Sequence, residues 1–529
     1  MRTLYRHGRI HSPTEPFATA MVVDGATIAW LGSADAGAQV DADVTVELED
    51  ALVTPAFVDA HVHMTATGLT LTGLDLSAAR TLGEALDLVE RASRAGRGRP
   101  VLGTGWDDSA WPEHRAPTAT ELDRAGYGGV VYLARSAGSY VPSAVVSSSL
   151  AAAVPDLLGM AGAGPDGLVS GDAHHAARAA AFSTLSSGQL RDVQRAALSR
   201  AGELGIGCVH EMAGPEVSSA EDLRSLLALA VAEATPQVFG YWGELNGVDT
   251  ALELGAIGAG GDLCCDGWLG SHTAALREPY TDRPETSGQL RFSVDQLSEH
   301  LLRCAQVGLQ AGFHAIGDAA IEQILDAVDL ASHRVGRLAG AGHRVEHAEM
   351  VGDPSRFAAA GLTASVQPGF DAAWGGPLGM YAQRLGVGRA SGLNRFAELA
   401  AAGVPLAFGS DSPVTPMNPW AAIRAAAYPS QPGAAVSPRS AFAAHTRGGW
   451  RAAGRAGEGV IATGATATFA VWQAGELAVD SPDQRVTRWS TDARSGVPGL
   501  PDLTPGHDLP ICLRTVVAGR TVFQRELES

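Results

Sequence analysis

The 529 residues are 46% hydrophobic and 18% charged, the composition of a folded globular enzyme, which excludes a disordered or fibrous chain. A net charge of −19 repels nucleic-acid phosphates and anionic membrane surfaces and so argues against either as a partner. Five scattered cysteines (Cys208, Cys264, Cys265, Cys304, Cys512) form no disulfide framework and no CxxC knuckle, and no stretch approaches about 20 uninterrupted apolar residues. These features predict a soluble cytoplasmic protein acting on a small molecule, with a homodimer as the candidate assembly.

From the start of the chain, short alternating segments (Thr3-Leu4-Tyr5, Ala20-Met21-Val22-Val23, Thr27 to Leu31, Val44 to Leu48) are separated by turn residues such as Asp24-Gly25 and predict antiparallel β structure. The far end repeats the pattern in Thr466 to Trp472 and Arg514 to Phe523. Each terminal piece is small for a core of its own, so residues 1–54 and 455–529 are expected to form one composite β-sandwich.

Between them, residues 55–454 alternate differently. Apolar runs ending in polar residues recur between Ala/Leu-rich helical stretches: Phe57 to His63, Gly207 to Glu211, Val238 to Trp242, Leu263 to Asp266, Leu309 to His314, Arg344 to His347, Ala364 to Pro368, and Leu406 to Asp411. Eight strands alternating with helices predict an α/β fold, a closed (β/α)₈ barrel. No Gly-x-Gly-x-x-Gly follows the first strand to support nucleotide binding in an open sheet. Residues 68–202 are an excess after the first strand, expected to cap the catalytic face of the barrel.

The chemistry concentrates at strand ends. In Pro55-Ala56-Phe57-Val58-Asp59-Ala60-His61-Val62-His63, two histidines stand two residues apart, so on a strand both imidazoles point the same way. His314, His347 and Asp411 end the fifth, sixth and eighth strands, and all five side chains are expected at the C-terminal mouth of the barrel. Imidazoles and a carboxylate in such number suit Zn²⁺ and tolerate Mn²⁺, Fe²⁺ or Co²⁺.

With these landmarks the chain resembles the metal-dependent amidohydrolase superfamily, and within it the branch related to N-substituted formamide deformylases. The match also runs through Asp266-Gly267-Trp268-Leu269-Gly270-Ser271-His272-Thr273-Ala274, His314-Ala315-Ile316-Gly317-Asp318, Arg344-Val345-Glu346-His347-Ala348, Ser365-Val366-Gln367-Pro368 and Gly409-Ser410-Asp411-Ser412-Pro413. The resemblance implies a barrel with a terminal β-sandwich. It implies His61, His63, His314 and His347 as metal ligands and Asp411 as both ligand and proton shuttle; in the expected mechanism the metal or His347 polarises the substrate carbonyl. It implies hydrolysis of a non-peptide C–N bond, such as an N-substituted formamide or N-acyl amine. A lactonase, an esterase or a deaminase would use the same ion, and an inactive barrel scaffold is the alternative outside enzymes.

Three departures stand out. Relatives often carry a bridging, carboxylated lysine four residues before the Asp-Gly of the fourth strand, where this chain has Asp262; a carboxylate bridge from Asp262, a ligand from Cys264, and a site with one ion or two all remain open. A histidine usual after the seventh-strand Gln-Pro is here Phe370, and an Arg-Asp-Gly-His-like stretch reads Arg135-Ser136-Ala137-Gly138-Ser139. Substrate contacts are expected from Trp268, His272, His210 and Trp374. His174-His175 is expected at a helix start, Asp318 as an orienter of His314 or a helix cap, Glu346 as structural, and His445 as packing.

Overall fold

A computed structural model describes residues 1–135, 143–335, 338, 342–478 and 499–526. At its centre lies a sheet of eight parallel strands: β1 (Phe57–Val62), β2 (Ile206–Ala213), β3 (Gln237–Trp242), β4 (Gly258–Ala259), β5 (Gln310–Ala315), β6 (Arg344–His347), β7 (Thr363–Val366) and β8 (Leu406–Phe408), each paired with the next in chain order. Buried apolar residues from strands and surrounding helices (Phe57, Leu226, Leu301, Phe313, Ile324, Phe357, Ile423) make one continuous core around it. This is the expected barrel.

Its closure takes place at the functional end. Beyond β8, the Asp411 amide donates to the His61 carbonyl at 2.8 Å and the His63 amide donates to the Ser412 carbonyl at 3.0 Å. Only a glycine fits at position 409, because a Cβ there would meet the His61 nitrogen at 2.5 Å. The buried Asp59 carboxylate adds a clamp, accepting from the Ser410 amide at 2.8 Å and the Ser410 hydroxyl at 2.6 Å.

The fourth strand differs from expectation. Instead of Leu263 to Asp266, the sheet strand is Gly258–Ala259, and the chain then leaves the ladder at Gly260 (φ 135°) and Gly261 (φ 81°). A Cβ on Gly260 would meet the Gly312 carbonyl oxygen at 2.1 Å, so the glycine lets the two backbones touch. That bend turns Asp262 inward, and Cys264 rejoins as a single parallel bridge to His314.

Strands from both ends of the chain meet outside the barrel. Leu52–Pro55 pairs antiparallel with Phe469–Gln473, which pairs with Ile511–Val517. A four-stranded sheet of Thr27–Gly32, Ala20–Asp24, Arg2–Arg6 and Val44–Glu47 shares a core with them through Tyr5, Met21, Val53, Phe469 and Val516. The N-terminal pairing is not wholly antiparallel as expected, since Arg2–Arg6 runs parallel to Val44–Glu47. Between β1 and β2 a separate five-stranded sheet (Leu74–Asp75, Val101–Trp106, Val131–Arg135, Ser143–Val146, Leu168–Ser170) is followed by the helices Gly171–Ser183 and Ser187–Glu203. The stretch at residues 136–139 lies outside the described residues.

Candidate functional site

The strand-end residues converge. The His61 Nε2 lies 3.6 Å from Asp262 Oδ1 and 3.6 Å from Asp411 Oδ1, and the His63 Nε2 lies 3.3 Å from Asp262 Oδ2 and 3.1 Å from Asp411 Oδ1. From the opposite side, His314 Nδ1 comes within 3.6 Å and His347 Nε2 within 3.9 Å of Asp262 Oδ1. Three overlapping triads result, namely His61–His63–Asp262, His61–His347–Asp411 and Asp262–His314–His347, each with ligand atoms within 4.8 Å of one another. Two atoms bound tetrahedrally to one ion at about 2.1 Å stand about 3.4 Å apart, so these separations are those of shared coordination.

The donors that face inward have no other work. The His61 Nε2, Asp262 Oδ1 and Asp411 Oδ1 are buried without a hydrogen-bond partner, an arrangement that is costly unless a cation completes it. The remaining ring nitrogens are occupied: His61 Nδ1 with Glu346 Oε2 (2.9 Å), His63 Nδ1 with the Met212 carbonyl (3.0 Å), and His347 Nδ1 with Gln367 Oε1 (2.9 Å). Each partner leaves the opposite nitrogen aimed at the common point, as outer partners of metal-bound histidines do. These residues fit a divalent cation of the zinc type.

Electrostatics agree. Burial pushes the carboxyls of Asp262 and Asp411 up, but the surrounding imidazoles, His61 foremost, outweigh it and hold both below the usual carboxylate range, Asp262 well below. Burial pushes His63 and His314 down, yet Asp411 and Asp262 beside the first and Asp262 beside the second raise each to about 9. His347, by contrast, is lowered by burial and by neighbouring His314.

Behind His61 stands a buried ion pair whose acid, Glu346, is expected from the sequence only as structural. Glu346 is paired with Arg344, and both side chains are 0% exposed. Arg344 also donates to the Ala60 carbonyl (2.6 Å), the Ser365 hydroxyl (2.7 Å) and the Tyr241 hydroxyl (3.0 Å). Against burial, Arg344 and His61 together hold the Glu346 carboxyl down at about 2. Strand alternation sends Glu346 and His347 to opposite faces; His347 nevertheless reaches the site because its backbone turns into the left-handed region (φ 69°), as does that of Asp411 (φ 53°).

The other expected contacts divide. Trp268 and Trp374 are brought together, with ring centroids 4.6 Å apart, and both pack on Phe370, whose ring stacks on His347 at 5.8 Å and 12°. An aromatic wall thus flanks the cluster on the His347 side. His272 instead pairs with Asp282 at 3.1 Å. His210 lies inside the barrel, 3.1 Å from an Arg344 nitrogen, because it falls in the middle of β2 and not at its end. Asp318 binds the Arg277 amide and guanidinium. Besides Asp262 at its Nδ1, His314 has Asp266 at 3.8 Å from its Nε2, and Asp266 also accepts from the Ala275, Ile316 and Gly317 amides. His174 meets the Tyr132 hydroxyl at 2.8 Å, and His445 meets the Val58 carbonyl at 2.9 Å.

Comparison with known proteins gives a consistent picture. A family model described as "Amidohydrolase family" matches residues 44–523. Protein LONG AFTER FAR-RED 3 of Arabidopsis thaliana is 27% identical over 448 residues, 78% of this chain and 75% of that protein. The N-substituted formamide deformylase of Arthrobacter pascens is 24% identical over 501 residues, covering 86% of this chain and 90% of the relative. Among solved structures, an uncharacterized metal-dependent hydrolase from Pyrococcus furiosus superposes with a TM-score of 0.73 at 26% identity, covering 89% of this chain and 98% of that one.

Proposed function

Because this chain belongs to the amidohydrolase family, we propose that it is a metal-dependent hydrolase of non-peptide C–N bonds, with N-substituted formamides and N-acyl amines as substrates. The observation that carries this reading is the convergence of His61, His63, Asp262, His314, His347 and Asp411, with unpartnered buried atoms turned toward one another. His61, His63 and Asp411 would hold one ion, His314 and His347 a second, and Asp262 would bridge them in place of a lysine. Zn²⁺ is the ion the donor set favours, with Mn²⁺, Fe²⁺ and Co²⁺ compatible.

When bound, such an ion supplies Lewis acidity and lowers the pKa of water from about 15.7 toward about 7. The protein's own residues do the rest. Asp411, kept ionised by the imidazoles around it, takes the proton from the attacking water and returns it to the leaving nitrogen. His347, fixed through Nδ1 by Gln367, would hold the ion through Nε2 and so act on the carbonyl only through it. Trp268, Phe370 and Trp374 present an apolar face that excludes bulk water and favours a substrate with an apolar group.

A panel of N-acyl amines, formamides, lactones and esters, assayed with Zn²⁺, Mn²⁺ and Co²⁺, tests the reading. Turnover of amides above all other classes supports it. Preferential turnover of lactones or esters, or no turnover with any ion, overturns it.

A further inference from the structure

Beside His63 lies a cavity of about 120 Å³ whose walls come from the barrel mouth and from the helix Gly171–Ser183. A cavity near 150 Å³ takes up one benzene, so this one admits a single small group. Phe182, Val217 and Val414 form its apolar side.

Its polar side carries Arg178 and Ser218. Arg178 donates to the Glu216 carbonyl at 3.2 Å and forms no ion pair among the described residues. The Glu216 carboxylate is taken by Arg291, at 2.5 and 3.0 Å. The Ser218 hydroxyl is buried without a partner. Two carboxyls also line the cavity, but both are engaged internally. Glu211 accepts from the Met64 amide at 2.7 Å, and Asp222 accepts from the Thr65 hydroxyl at 2.6 Å and the Gln194 amide at 2.7 Å.

A guanidinium that pairs with no carboxylate among the described residues, lining one cavity with an unused hydroxyl and with His63, offers donors to an anion. We infer that the substrates carry a free carboxylate, seated in this cavity against Arg178 and Ser218, joined by a short aliphatic spacer to the amide at the ion site. The inference rests on the hydrolytic reading above for its amide, and on the cavity alone for its carboxylate.

Calorimetric titration of the Zn²⁺-loaded protein with terminal dicarboxylates from malonate to adipate, each against the monocarboxylate of equal length, tests it. At least one dicarboxylate should bind about tenfold more tightly than its monocarboxylate, the worth of one charge-assisted contact. Arg178→Met should reduce that ratio to about one, and Ser218→Ala should lower it partway. No dicarboxylate advantage in the wild type, or an advantage that survives in Arg178→Met, overturns the inference. If Arg178→Met does not fold, an absent advantage in the wild type still overturns the inference, and Ser218→Ala still tests it, an unchanged advantage there overturning it. Failure of the hydrolytic reading would appear separately, as an intact dicarboxylate preference without turnover of any amide.

Discussion

The Nδ1 of His61 lies 2.9 Å from Oε2 of Glu346, and neither side chain is exposed to solvent. Arg344 closes the chain behind Glu346, so a guanidinium in the barrel interior sets the acid that sets the first histidine of the site. Glu346→Gln should therefore weaken metal affinity by about 10- to 100-fold, because the ring loses its orienting anion. Competition against a chelator of known affinity measures this. The change also leaves Arg344 buried without its counter-charge, which costs about 3–5 kcal/mol, so the melting temperature should fall as well.

Asp411 is assigned the proton. Asp411→Asn should lower kcat by about 10²- to 10⁴-fold while the ion remains bound through the histidines. Parallel measurement of kcat and metal content checks this; an unchanged kcat would remove Asp411 from the mechanism.

Asp262 touches both halves of the site, lying 3.3 Å from His63 and 3.6 Å from His314. Asp262→Ala should reduce metal content from two ions per chain to one or none, read by elemental analysis after dialysis.

The site's pH response follows from the two histidines raised to about 9 in the metal-free protein. Their unfolded value is about 6.5, so the folded protein binds the extra protons. That stabilisation is complete below pH about 6.5 and is lost as pH rises through about 9. The melting temperature of the metal-free protein should fall across this interval. The same protons must leave before an ion enters, so metal binding at pH 7 should release protons, measured by calorimetry in buffers of different ionisation enthalpy, and affinity should rise toward pH 9.

Much of this is legible in the sequence. The two-residue spacing of His61 and His63, and polar residues ending apolar runs at His314, His347 and Asp411, located the site because parallel strands of a barrel deliver their C-terminal ends to one place. Asp262 was harder, since its inward turn depends on the backbone leaving the sheet at Gly260 and Gly261. Strand alternation predicts that Glu346 points away from His347. The left-handed backbone of His347 nevertheless puts both side chains in service of the site, and no local sequence pattern announces a positive φ at a histidine. His210 failed for the converse reason. A strand that continues to Ala213 buries a residue that a shorter strand would have displayed. The cavity of Arg178 and Ser218 joins segments some forty residues apart and could be found only in three dimensions.

The central claim is that these six side chains share metal. Crystals of the Zn²⁺-equilibrated protein, with data collected across the zinc absorption edge, test it most directly. The account predicts anomalous density among His61, His63, Asp262 and Asp411, and between Asp262, His314 and His347, matched by stoichiometric zinc in solution. Zinc-free density at that point, with sub-stoichiometric metal and behaviour indifferent to chelators, would contradict it.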